Sequence, residues 1–231
     1  MQTKLSNRDI VQADALAVAI KNKRCGLGIS MGVGKTRIAI QHLQKHYNPL
    51  IEALVVIPKH SVAQSWIDEL GKMNLENLVN HITFTTYLSL KKHNHNNYDI
   101  VYLDECHSLK YSHELFLGPY VGKILGLTGT PPKHKNSEKG ELVQKYCPIK
   151  YVFNVDDATD SNILNDYQII IHELELSKLH TLKKKTKAGG HWYTTEKRDY
   201  DYVNGRIADA QTQNQIQFAR IMRMRALMDY T

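Results

Sequence analysis

The 231-residue sequence predicts an α/β fold, a mostly parallel sheet covered by helices on both faces. Three observations carry that expectation. Short apolar runs such as Leu54-Val55-Val56-Ile57 and Ile100-Val101-Tyr102-Leu103 read as buried strands. Segments with helical spacing lie between them, the alternation a parallel sheet requires. Three glycine-, carboxylate- or hydroxyl-bearing segments each begin where an apolar run ends, and ligands bind at that edge of such sheets.

The elements follow in order. Residues 9–22 are rich in Ala, Val and Ile at helical spacing and read as a helix. Cys25-Gly26-Leu27-Gly28-Ile29-Ser30 is an apolar run feeding a glycine turn, and a second helical pattern runs from Lys35 to about His46. Leu54 to Ile57 is a strand closed by Pro58. Val62, Trp66 and Leu70 stand four apart on one face of an amphipathic helix, which makes Trp66 a core residue. Ile82-Thr83-Phe84-Thr85 is a further strand. Ile100 to Leu103 runs straight into Asp104, and Ile124 to Leu127 straight into Thr128.

Beyond about Pro148 the character changes. Asp156 to Asn162 reads as a polar linker, Tyr167 to Leu176 as a strand, and Lys183 to Gly190 as an exposed loop. The stretch from Asp199 to Tyr230 mixes Ile216, Phe218, Ile221 and Met222 with Arg220, Arg223 and Arg225 and reads as helix. The expected organisation is one domain over 1–150, then a linker, strand and helical segment over 151–231. The lysines of 183–187 followed by His191-Trp192-Tyr193 fit either a single-strand contact or a surface loop. His93 and His95, in an asparagine-rich stretch, read as a solvated loop and not a metal site.

Hydrophobic content of 42% with 23% charged residues describes a globular chain, not a disordered one. A net charge of +7 and a pI near 9.1 favour an acidic partner such as nucleic acid. Cys25, Cys106 and Cys147 form no CxxC pair, which excludes zinc-finger spacing and points to a reducing, intracellular setting. No apolar stretch approaches the ~18 residues of a membrane span, so no membrane association is expected.

In Ser30-Met31-Gly32-Val33-Gly34-Lys35-Thr36, the glycines let backbone N–H groups point at a phosphate, and the following helix adds its positive end. Lys35 is the residue to reach the β- and γ-phosphates and Thr36 the hydroxyl to ligate Mg²⁺. The adjacent carboxylates of Asp104 and Glu105 suit two tasks, metal holding and base. Met31, Gly32, Val33, Gly34 and Arg37 complete the candidate nucleotide contacts.

Taken with Thr128-Gly129-Thr130-Pro131-Pro132, these segments resemble the first RecA-like motor domain of a superfamily-2 helicase or translocase, nearest the DExH and Swi/Snf-like branches. The resemblance covers roughly residues 5–135. It implies ATP and Mg²⁺ as cofactors, with Thr36 and Asp104 holding the metal. Glu105 is implied to deprotonate the attacking water. His107 is implied to couple the motifs, together with Thr128, Gly129 and Thr130. Gln12, accompanied by Arg8, corresponds to a glutamine that pairs with adenine. Pro58, Lys59, Ser61, Thr86 and Tyr87 correspond to contacts along nucleic-acid phosphates, on DNA before RNA. The chain departs from the strict phosphate-loop pattern at Ile29, where a glycine is usual. Members of this superfamily carry a second RecA-like domain that supplies an arginine finger, expected here in cis if the chain is a fragment. None of Arg220, Arg223 and Arg225 can be assigned that role. The alternative is a non-catalytic, motor-like module that binds nucleotide or nucleic acid and regulates a partner.

Overall fold

The computed structural model describes residues 5–166, 175–186, 189–209 and 213–228. The chain divides into two units, Met1–Tyr167 and Gln168–Thr231.

The first unit runs α1 (Asn7–Lys21), β1 (Arg24–Ile29), α2 (Lys35–Lys45), β2 (Ala53–Ile57), α3 (Ser61–Lys72), β3 (Ile82–Thr86), β4 (Ile100–Asp104), α4 (Glu114–Leu117), β5 (Lys123–Thr128), α5 (Glu138–Tyr146), β6 (Ile149–Phe153) and α6 (Val155–Asp160). The six strands pair in the order β3-β2-β4-β5-β1-β6, every pairing parallel. Neighbours along β2 point to opposite faces: Ala53, Val55 and Ile57 join one core cluster, Leu54 and Val56 the other. α1, α2 and α3 cover the first face, and α4 and α5 the second. This is the parallel sheet covered on both faces that the apolar runs predict, and the RecA-like architecture that the resemblance implies.

The order sets β4, β5 and β1 side by side, so the segments leaving their carboxyl ends emerge together. Thr128 lies level with Gly28, and Asp104 with Leu127.

The boundary expected at 150 falls inside β6, whose residues pair with β1. The segment 156–162, read as a linker, is mostly α6. Asn154 and Asp157 exchange side-chain-to-backbone bonds of 2.9 Å, a capping box that turns an acidic stretch into a helix start. Ala158 and Ile163 join the first core cluster, which ties this segment to the unit.

In the second unit, β7 (Leu182–Lys185) and β8 (His191–Thr194) form an antiparallel hairpin followed by α7 (Glu196–Ala208) and α8 (Gln213–Met228). The expected lysine loop is therefore a strand through Lys185, with Lys187 and Ala188 outside the described residues. The strand expected over 167–176 lies mostly outside them too. The single helix expected over 199–230 is two.

Candidate active site

The turn after β1 carries two glycines in the left-handed region, Gly32 at φ +83° and Gly34 at φ +106°. A side chain at Gly34 would strike the Gln12 amide. Gly34 caps α2 without any side-chain hydrogen bond, so the first N–H groups of α2 have no side-chain acceptor. A left-handed glycine turn feeding an uncapped helix start has the geometry that can cradle a phosphate.

Lys35 opens α2, and its Nζ donates to the Ile29 carbonyl at 3.1 Å. Burial pushes its ammonium down from the ordinary lysine range, against the opposing pull of Glu105 and Asp104. Gly129 is close by, since a Cβ on it would stand 3.5 Å from Lys35 Nζ. Lys35, Thr36, Asp104 and Glu105 line one cleft of about 440 Å³, shared with Ser65, Asp68 and Glu69 of α3.

Asp104 ends β4 almost buried, at 8% exposure. Burial pushes its carboxyl up, and the indole N–H of Trp66 counters by donating to Oδ2 at 3.2 Å. Trp66 is a core residue as expected, 1% exposed, and its one donor reaches the candidate metal carboxylate. The chain then turns sharply: Glu105 sits at φ 52°, ψ 56°, a left-handed conformation a non-glycine residue seldom adopts. His107 Nδ1 lies 2.8 Å from Thr128 Oγ1, 3.3 Å from Glu105 Oε2 and 3.4 Å from Thr130 Oγ1. The Thr130 N–H donates to Thr128 Oγ1 at 3.0 Å. One imidazole therefore touches residues from both strand ends.

A second cleft of about 430 Å³ adjoins the first and shares Gly32, Gly34, Arg37 and Glu69 with it. Arg8 and Gln12 line it. Gln12 is buried and donates to the Val33 carbonyl at 2.7 Å, and Arg8 donates to the Ile163 carbonyl at 3.1 Å. Arg37 pairs with Glu69 at 3.4 Å across the boundary between the clefts. Met31 is exposed beside the phosphate turn and Val33 is buried beneath it.

The residues expected along a phosphate track separate. Pro58, Lys59 and Ser61 are exposed, whereas Thr86 and Tyr87 are each 8% exposed. Tyr87 turns inward because its hydroxyl donates to the Asp104 carbonyl at 2.8 Å and its ring lies against His113. Its edge lines a groove of about 380 Å³ with Pro58, Lys91, Ser108 and Lys110. The two lysines were not singled out from sequence, since they stand in unremarkable segments that only the fold brings together. His93 spends both ring nitrogens, on Tyr98 and Thr85 hydroxyls, and no metal-binding cluster occurs among the described residues.

Comparison with known proteins comes to a coherent set. The family model ResIII (type III restriction enzyme, res subunit) matches residues 2–133. No curated protein matches the sequence. Among solved structures, the UvsW helicase from bacteriophage T4 matches with a TM-score of 0.53 at 14% identity, over 65% of this chain and 64% of that one. The type ISP restriction-modification enzyme LlaGI matches at 0.51 and 17% identity, over 70% of this chain and 21% of that one. The Hef helicase domain of Pyrococcus furiosus matches at 0.51 and 15% identity, over 68% of this chain and 42% of that one. Likeness at these identities is of fold, and this chain spans less than two thirds of each.

Proposed function

Since the chain belongs to the ResIII family and has the fold of a superfamily-2 helicase motor domain, we propose that it is the Mg·ATP-binding half of a nucleic-acid translocase or helicase. The carrying observation is that the uncapped start of α2, Lys35, Asp104 and Glu105 share one cleft, with Arg8 and Gln12 in the adjoining one. The first cleft suits a triphosphate and the second an adenine, whose edge an amide can pair as donor and acceptor.

The donor set fits Mg²⁺. A carboxylate and a hydroxyl, Asp104 and Thr36, are too few for an all-protein cage but suit an ion that keeps waters and phosphate oxygens. When bound, Mg²⁺ neutralises charge on the phosphate oxygens. Lys35, whose Nζ donates to the Ile29 carbonyl, would turn to the γ-phosphate. Glu105, on the left-handed turn and lining the same cleft, would take the proton of the attacking water. His107 reports the state of that carboxylate to Thr128 and Thr130.

The exposed Pro58–Ser61 segment and the Lys91/Lys110 groove form the proposed nucleic-acid face, contacting phosphates and reading no sequence. Tyr87 joins that groove to the Asp104 backbone through its hydroxyl. The buried, unpaired thiols fit an intracellular setting, and no helix among the described residues is long and apolar enough to cross a membrane. The regulatory-module alternative leaves the strained Glu105 turn and its contact with His107 without a use.

The test separates binding from turnover. Glu105→Gln is expected to keep Mg·ATP affinity while losing hydrolysis, because it preserves shape but not basicity. Equal loss of affinity in Glu105→Gln and Lys35→Ala would overturn these roles.

A further inference from the structure

The β7–β8 hairpin has two unlike faces. Residues opposed across an antiparallel ladder share a face, so Lys183 goes with Tyr193 and Lys185 with His191, while Leu182 goes with Thr194 and Lys184 with Trp192. The second set packs at Thr194, 1% exposed, and at Lys184, which pairs with Asp199 of α7 at 2.8 Å, while Trp192 stays 48% exposed. The first set faces solvent throughout, with Tyr193 at 56% exposure. Neither Lys183 nor Lys185 has a carboxylate partner among the described residues, although the neighbouring Lys184 does. The fold thus pairs Lys184 with a carboxylate and presents Lys183 and Lys185 on the same face as the Tyr193 ring.

We propose that this face of the second unit is a binding platform for single-stranded nucleic acid. The occupant follows from charge and shape. Alternate residues of a strand stand roughly 6.7 Å apart, comparable to successive phosphates of an extended single strand, so Lys183 and Lys185 can each meet one. Tyr193, directly opposite Lys183, offers a stacking surface for an unpaired base. Within a duplex the base faces are stacked on one another and closed to that ring, and an acidic peptide carries charge without a regular series of bases to stack on it. The proposal rests on the nucleic-acid reading above, to which it adds a second contact point.

The experiment is fluorescence anisotropy of the whole chain with labelled oligo(dT), over a range of salt. Lys183→Gln/Lys185→Gln is expected to weaken binding and to lower the slope of log K against log[salt] by about 1.4, two single-strand phosphate contacts. Tyr193→Ala is expected to weaken binding on the order of tenfold with the slope unchanged. Lys183→Arg/Lys185→Arg is expected to restore the wild-type slope, which a folding defect would not allow. Mg·ATP affinity should be unchanged in all three. Wild-type affinity and slope in the glutamine variant, with loss in Lys91→Ala/Lys110→Ala, would overturn the platform and leave the groove standing. No oligo(dT) binding by the wild-type chain would overturn both. Equal competition by polyglutamate and by unlabelled oligo(dT) would also overturn it, by showing that charge alone decides.

Discussion

Trp66→Phe tests whether a core residue orients Asp104, the proposed metal carboxylate. The change keeps an aromatic ring in the α3 face but deletes the indole N–H that reaches Asp104 Oδ2 at 3.2 Å. Asp104 is 8% exposed, so water replaces that donor poorly. A hydrogen bond to a charged group is worth about 1.5–3 kcal/mol, and loss of a residue that holds a metal ligand in place costs roughly 10- to 100-fold in metal affinity. The assay is binding of a fluorescent ATP analogue as Mg²⁺ is titrated. The Mg²⁺ midpoint should rise by about that 10- to 100-fold factor, while nucleotide affinity in chelator stays as in the wild type. Phenylalanine also leaves space, so a benzothienyl analogue at position 66, with sulfur for N–H at nearly constant shape, separates the lost bond from lost packing. An unchanged midpoint in the analogue would refute the reasoning, as would equal loss with and without Mg²⁺.

Four further outcomes are expected. Gly34→Ala forces a side chain into φ +106° and against the Gln12 amide, costing about 1–3 kcal/mol in thermal denaturation and most of the nucleotide affinity. His42 is buried beside Tyr102, and burial, with His46 and Lys123, lowers its pKa to about 3. Only the unfolded chain therefore takes up that proton near its ordinary pKa, so this contribution is complete above pH 6.5 and is lost as pH falls toward 3, by up to about 1.4 kcal/mol per pH unit. Urea midpoints should fall less between pH 6 and 4 in His42→Gln than in the wild type, and equal falls would contradict it. Lys91→Ala/Lys110→Ala should weaken every oligonucleotide alike and lower the salt slope by about 1.4, whereas a sequence-dependent loss would contradict the groove. Within the first unit the arginine lining the cleft of Lys35 and Asp104 is Arg37, already paired with Glu69. Steady-state turnover by these 231 residues should accordingly run about 10³–10⁵-fold below that of motors with an arginine finger, and fast DNA-stimulated turnover by monomer would show that a finger is present.

The central strands were legible because strands buried on both faces are unbroken apolar runs, as in Leu54 to Ile57. β6 was not, since Ile149 to Phe153 alternates with exposed residues at the sheet edge and resembles no buried run. α6 was hidden by its acidic start, which the Asn154 capping box turns to advantage. The turn after β1 was legible because its left-handed glycines, Gly32 and Gly34, stand in one short run of sequence. The direction of Tyr87 was not, because a hydrogen bond to the Asp104 carbonyl, at the end of β4 beyond the intervening β2, decides it. Trp66 could be read as core from its spacing, but its donation to Asp104 depends on how α3 sits over β4. The Lys91/Lys110 groove joins segments that only the fold brings together, so no local pattern announced it.

The most direct measurement is calorimetric titration of Mg·ATP into the wild-type chain and into Lys35→Ala. The account predicts one site per wild-type chain and no measurable heat of binding in Lys35→Ala, since that ammonium, at the start of α2 and beside Asp104 and Glu105, is the cation of the phosphate cleft. Absence of binding by the wild type, or undiminished binding by Lys35→Ala, would contradict it.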